Sequence, residues 1–262
     1  MPALRAIYTI WLRDLIRFAR EKSRIISMLG QPLLYLLIVG NGMSATFQLS
    51  AARVEGFNYL LFMYPGIIGM SVLFTSIFSA ISIVWDREFG FLKEVLVAPV
   101  PRWSVAVGKA LGGSTIAMLQ GSILLLLAPF LGLKMSFAQL FALLAVLFLI
   151  AFSLTSLGIT IASRMETMEG FQMMMNFLVM PLFFLSGAMF PLKGLPDWMD
   201  KVMHLDPLTY GVDALRHIMY GQMPALKTLT RFSLPHDLLV VAAMATVLIS
   251  LGTISFSRQN HN

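Results

Sequence analysis

The chain has no cysteine. That excludes disulfides, thiolate metal sites and a cysteine nucleophile. Charge is scarce as well: 12% of the 262 residues are Asp, Glu, Lys or Arg, against about a quarter in an ordinary soluble domain. The scarcity is sharpest within the long apolar runs, whose interiors hold no Asp, Glu, Lys, Arg or His. A proton-coupled carrier needs an ionisable relay at membrane depth, and a voltage sensor needs an arginine series there. Neither is present, nor is a lysine for a retinal. If the protein moves something uphill, the energy must enter from outside these runs. Catalytic patterns are missing too: there is no HExxH, no GxSxG and no carboxylate pair within a run. Gly108-Lys109 resembles a phosphate loop only superficially. No glycine stands five positions before Gly108, and Ala110 follows where Ser or Thr belongs. The four histidines, His204, His217, His236 and His261, are scattered, and their spacing predicts no metal site.

What remains is apolar: 58% of residues are hydrophobic, with a mean hydropathy of +0.80. Six runs, at about 25–46, 59–84, 106–131, 137–162, 171–190 and 238–257, are each near the ~20 residues needed to cross ~30 Å of hydrocarbon. The expected fold is an all-α membrane protein with six transmembrane helices and no internal repeat. The net charge of +6 does not point to nucleic acid, because Lys and Arg accumulate in the cytoplasmic segments of membrane proteins. Residues 1–24 are not patterned as a signal peptide. Leu4, Ile7, Tyr8, Trp11, Leu12, Leu15 and Phe18 recur at helical spacing, and Arg13, Arg17, Arg20 and Arg24 form a basic stripe. That pattern predicts an amphipathic helix at the membrane interface. Segments 1–24, 85–109, 163–170 and the 258–262 tail carry most of the Lys and Arg, whereas the short loops opposite carry only Arg53 and Lys134. The bias predicts that both termini are cytoplasmic and that 191–237 is external. Within 191–237, Asp206-Pro207 reads as an N-cap and first-turn pair and Gly221 as a C-cap, so 207–220 is a helix too short to span.

Polar uncharged residues do occur in the runs. Asn41, Gln120 and Asn176 are candidates for a substrate path, while Ser and Thr either line a path or bond their own helix backbone. Gly108/Gly112 and the ridge Gly113, Ala117, Gly121 predict close helix packing, within or between subunits. Pro32, Pro65 and Pro181 predict kinks.

One charged stretch interrupts the apolar pattern, from Trp85 to Trp103. Asp86 and Glu88 suit a helix start, Phe89, Leu92, Val95 and Leu96 share a face, and Pro99 and Pro101 stop the helix. A helix over about 86–98 could lay its apolar side into a partner's groove or rest on lipid headgroups. The run Asp86-Arg87-Glu88-Phe89-Gly90-Phe91-Leu92-Lys93-Glu94-Val95-Leu96-Val97-Ala98-Pro99, followed by Arg102-Trp103-Ser104 and Gly108-Lys109-Ala110-Leu111-Gly112-Gly113, resembles the permease subunit of type-2 ABC exporters. That family includes daunorubicin-resistance, nodulation-factor and polysaccharide-export permeases. Pro181–Pro191, then Leu205-Asp206-Pro207-Leu208-Thr209-Tyr210 and Asp213-Ala214-Leu215-Arg216, is similar to its second signature. The resemblance implies several things. One is a coupling helix, with Arg87, Glu88, Phe89, Gly90, Leu92, Lys93, Glu94, Leu96 and Pro99 as ATPase-coupling residues. Others are re-entrant short helices before the last span, a homodimer of permeases in the inner membrane, and two copies of a separate ABC ATPase that binds the ATP and Mg. This chain then binds no cofactor itself and is a transport subunit rather than an enzyme. Its expected cargo is an amphiphile: a drug, lipid, glycolipid or polysaccharide. The competing expectation is a passive channel or membrane scaffold with no ATPase partner.

Overall fold

The computed structural model describes residues 2–42, 59–89, 101–190, 196–221 and 230–258. The described residues form helices and turns, with no strand among them. Helix α1 spans Pro2–Arg20. Glu21 then leaves helical geometry at φ −90, ψ 67, and α2 begins at Lys22. The amphipathic helix therefore ends four residues sooner than its basic stripe suggests, and Arg24 falls in α2. Helix α2 (Lys22–Leu34) contains Pro32 and widens into π-helical turns over Tyr35–Gly40.

Helices α3 (Tyr59–Ser79) and α4 (Ile81–Glu88) are one 30-residue rod with a hitch at Ala80, about 45 Å long at 1.5 Å per residue. Helix α5 (Arg102–Leu125) starts after Pro101 in extended backbone and ends in a 3₁₀ turn, Ala128–Leu131, closed by Gly132 at φ 78. A left-handed residue of this kind is where glycine costs least. Helix α6 (Phe137–Ala162) opens on a capping box, Ser136 with Gln139. In α7 (Met168–Leu185) the Thr167 side chain caps the Gly170 amide. Helix α8 covers Asp197–Met203, α9 Pro207–Tyr220 and α10 Leu234–Arg258. Asp206 caps α9 with proline in the first turn, as the sequence predicts.

Among the described residues, five helices are long and apolar enough to cross a membrane: Tyr59–Glu88, Arg102–Leu131, Phe137–Ala162, Met168–Leu185 and Leu234–Ser255. The first of the six predicted runs is represented by a shorter apolar helix, Met28–Gly40. Residues 43–46 of that run lie outside the described residues. The fifth begins earlier and ends earlier than the sequence suggests, because Thr167 supplies the cap and Ser186 the stop.

Helix α6 is the axis of the bundle, packed by α3, α5, α9 and α10. The glycine ridge of α5 works within the chain. A Cβ on Gly113 would stand 2.2 Å from Ser79 Oγ and 2.8 Å from Thr155 Cγ2, and one on Gly121 would stand 3.1 Å from Val72. The Gly108/Gly112 pair serves a different partner, α1. Added Cβ atoms there would meet Ile10 and Asp14, each at 3.0 Å. Trp11 Nε1 donates to Thr115 Oγ1 at 3.1 Å across the same contact. Helix α1 thus seats one face on α5 while Leu4, Tyr8 and Ile16 stay exposed on the other.

Helix α9 is only 14 residues long and is buried almost throughout. It lies among α3, α6 and α10, with Gly211 against Ile150 and Val212 against Gly69. Protein covers it, the condition under which a helix too short to span is tolerated within a membrane bundle.

Candidate coupling face and membrane cleft

The charged stretch enters at the end of α4, and its first residues are bound within the chain. The Arg87 guanidinium donates to the carbonyls of Ser163, at 2.9 Å, and Met165. Ser163 is the C-cap of α6, so its carbonyl has no helical donor. Glu88 Oε2 accepts from the Met168 amide at 3.1 Å. That amide opens α7, where orphan N–H groups and the helix dipole favour a carboxylate. One side of α4 therefore fastens to the end of α6 and the start of α7 together.

The neighbouring side fastens to α1 and α5. Lys109 Nζ lies 3.1 Å from Asp86 Oδ2 and 3.6 Å from Asp14 Oδ1, and donates to Ser82 Oγ at 3.0 Å. Arg13 lies 3.5 Å from Asp86 and 3.7 Å from Asp14. Two cations and two anions close a neutral cluster. A lysine near a span end is expected to snorkel to water. Lys109 instead is 7% exposed, because α1 and α4 each bring a carboxylate to it. Trp85 is sandwiched at the rim: Arg17 lies 5.7 Å from its ring centre and Phe89 packs on it at 5.2 Å. Arg17 also pairs with Glu21 at 3.3 Å.

Of the residues expected to meet an ATPase, Arg87 and Glu88 are thus occupied internally, and Phe89 is 67% exposed. Gly90, Leu92, Lys93, Glu94, Leu96 and Pro99, with most of the expected 86–98 helix, lie outside the described residues. Of the basic stripe, Arg13 joins the ion cluster, Arg17 the rim, and Arg20 is exposed.

Beyond the rim a cleft of about 560 Å³ runs inward between α2, α3 and α5. Arg17, Glu21 and Trp85 stand at its mouth, Phe74 and Phe78 on its wall, and Gln120 at its floor. The two phenylalanine rings stack, with centres 6.2 Å apart. Gln120 is 4% exposed and fully engaged. Its Nε2 donates to Ser71 Oγ at 2.6 Å and to the Met28 carbonyl at 2.8 Å, and its Oε1 accepts from Thr75 Oγ1. The Met28 bond has a local cause. Pro32 has no N–H to return to the carbonyl four residues earlier, and Gln120 supplies the missing donor.

The same logic recurs at the other end of the bundle. Pro65 leaves the Leu61 carbonyl without its helical donor, and the Tyr220 hydroxyl of α9 donates to it. Arg216 Nη2 donates to the Gly187 carbonyl at 2.7 Å and to the Phe62 carbonyl at 3.4 Å, with its guanidinium 4.2 Å over the Phe62 ring. Burial pushes the Asp206 carboxyl up to about 7, its cap bonds to Leu208 and Thr209 pulling the other way.

Of the three candidate path residues, only Gln120 lines the cleft. Asn41 donates to its own helix at Leu37, 2.8 Å away, and Asn176 is exposed on α7. Sequence reading missed Tyr220 and Arg216 as partners of α3, and Pro32 as the reason for Gln120. The available signal was a proline four residues beyond a buried carbonyl, paired with a distant buried donor.

Five apolar helices among the described residues, around a buried core with a short helix embedded among them, define a multi-span helical membrane protein. Comparison with known proteins agrees. A family model described as ABC-2 type transporter matches residues 5–220. The chain is similar to ycf38 of Cyanophora paradoxa, named a transport permease, with 30% identity over 257 residues, 97% of this chain and 87% of that one. It is 28% identical to nodulation protein J of Rhizobium leguminosarum bv. viciae, over 81% of this chain and 82% of the relative. Identity to the inner membrane transport permease YadH of Escherichia coli (strain K12) is also 28%, over 82% and 83% of the two chains. The protein belongs to the ABC-2 type transporter family and is a membrane permease subunit of an ABC transporter. Membership implies an ABC ATPase partner.

Proposed function

We propose that this chain is the membrane-spanning half of an ATP-driven exporter, working as a homodimer on two copies of a separate ATPase in the inner membrane. Both termini and the 85–109 segment face the cytoplasm, six helices cross the bilayer, and 191–237 is external and re-entrant. ATP and Mg bind to the partner. The cargo is an amphiphile, drawn from the cytoplasm or inner leaflet.

The observation that carries this reading is the double fastening of α4. Closure of the ATPase dimer displaces the segment after Phe89, which serves as the coupling helix. Arg87 and Glu88 pass the movement to the α6–α7 turn, and Asp86 passes it to α5 and α1 through Lys109 and Arg13. Both cytoplasmic turns and the N-terminal helix then move as one body. The cleft supports the amphiphile assignment, because its charged mouth suits a headgroup and its aromatic wall a tail.

The test is reconstitution of the permease with its ATPase in vesicles. Glu88→Lys and Leu92→Asp are expected to insert normally and retain basal ATP hydrolysis but to lose cargo-stimulated hydrolysis and export. Unchanged coupled export in both variants would refute the coupling assignment. Uphill export by the permease alone would refute the ATP-driven reading and return the protein to the class of channels or autonomous carriers.

A further inference from the structure

Three groups at the bundle end opposite α1 have no part in the coupling mechanism. Asp213 and His217 stand one turn apart on α9, and Asp237 lies in the first turn of α10. Their ligating atoms, one from each residue, lie within 4.8 Å of one another. Asp213 is 1% exposed, Asp237 is 0% exposed, and His217 is half-buried.

The three side chains are not equivalent. Asp213 is held in place: its Oδ2 accepts from the Arg231 and Phe232 amides, each at 2.9 Å. His217 Nε2 donates to the Phe232 carbonyl, which leaves the ring lone pair on Nδ1. Both carboxylate oxygens of Asp237, in contrast, are buried with no hydrogen-bond partner among the described residues. Of the nearby arginines, Arg216 feels the charge of Asp213 but hydrogen-bonds backbone carbonyls. Arg231 reaches Asp200 at 2.5 Å. Two buried carboxylates side by side, one of them with no hydrogen-bond partner among the described residues, are costly.

We propose that Asp213, His217 and Asp237 bind a divalent transition-metal ion, zinc being the best match, which clamps α9 to the start of α10. One imidazole nitrogen and two carboxylate oxygens are a borderline donor set that suits zinc, and three protein ligands leave one position for water. A dication cancels the two carboxylate charges and leaves a neutral buried site. It also gives the Asp237 oxygens the partner they lack. The outer contacts are those a metal site needs, since a carbonyl orients the histidine and backbone amides orient one carboxylate. The clamp would join the embedded helix to the last span, and so tie the outer end of the bundle together.

The test uses the full chain in detergent, stripped with a chelator and then dialysed against zinc ion alone. Expected are about one zinc per chain by elemental analysis, a rise in Tm on zinc addition, and visible d–d absorption when cobalt(II) replaces zinc. Asp237→Asn is expected to weaken zinc binding by about 100-fold or more while leaving the metal-free Tm equal to or above that of the parent. His217→Gln, at the half-buried ligand, is expected to lose the cobalt spectrum while folding normally. A stripped parent chain that takes up no zinc overturns the proposal, as two carboxylates sharing a proton would predict. So does an Asp237→Asn chain that binds zinc as the parent does.

Discussion

Replacing Arg87 by methionine removes its hydrogen bonds to the Ser163 and Met165 carbonyls. A hydrogen bond to a charged group contributes about 1.5–3 kcal/mol. Arg87 makes two to carbonyls, from a half-buried position where water can partly replace it. Two such bonds sum to about 3–6 kcal/mol, and water replacing part of that leaves about 2–3 kcal/mol as the expected loss. For a chain of this size, 1 kcal/mol moves Tm by roughly 2–4 °C, so Arg87→Met should melt about 4–12 °C lower. Arg87→Lys keeps the charge but has a single donor centre and should fall about halfway. Arg164→Met, at an exposed residue on the same turn, is the control. The absence of cysteine allows a second readout without background labelling. Spin labels at Phe89→Cys and Glu169→Cys should give one narrow distance distribution while Arg87 is present and a broad one in the Arg87→Met background. The reasoning is refuted if Arg87→Met melts within a degree of the parent and the distribution stays narrow.

Three further outcomes follow from the packing and the charges. Gly113→Ala places a Cβ 2.2 Å from Ser79 Oγ, whereas Gly30→Ala meets nothing within 4 Å. The first should lose about 1–3 kcal/mol by thermal unfolding in detergent, and the second should lose nothing. Gln120→Leu leaves the Met28 carbonyl and two hydroxyls without their partner and should cost about 1–3 kcal/mol; cargo-stimulated ATP hydrolysis in the reconstituted complex should fall with it. Asp206 binds its proton more tightly folded, at about 7, than unfolded, at 3.8. Its contribution is thus most favourable below about pH 4, declines as pH rises to about 7, and is constant above that. Tm against pH should slope downward across this window in the parent and be flatter in Asp206→Asn.

Much of the architecture is local and was legible for that reason. Runs of apolar residues, the Asp206-Pro207 helix start and the small-residue faces of α5 are each written within a few neighbouring positions. The pattern of a basic and an aromatic face correctly predicted a helix over most of residues 1–24, but not that α5 would receive it. Partnership was the hidden part. Gln120 reads as a lone polar residue in an apolar helix until Met28, 92 residues away, is known to lack a donor. Lys109 reads as a snorkelling end residue until two carboxylates from separate helices arrive beside it. Arg87 and Glu88 are similar: their chemistry was evident, but their targets are backbone groups, which carry no residue identity to search for.

The Tyr220–Leu61 contact has a consequence for how the protein is made. The donor lies 159 residues beyond the carbonyl it satisfies. At 5–20 residues per second, the ribosome needs roughly 8–32 s to deliver it. Over that interval α3 is already synthesised, with the backbone gap at Pro65 still open. Insertion and completion of the bundle are therefore separate events in biogenesis. The last embedded helix acts as the closing piece of an assembly that stands unfinished while half the polypeptide is still being translated.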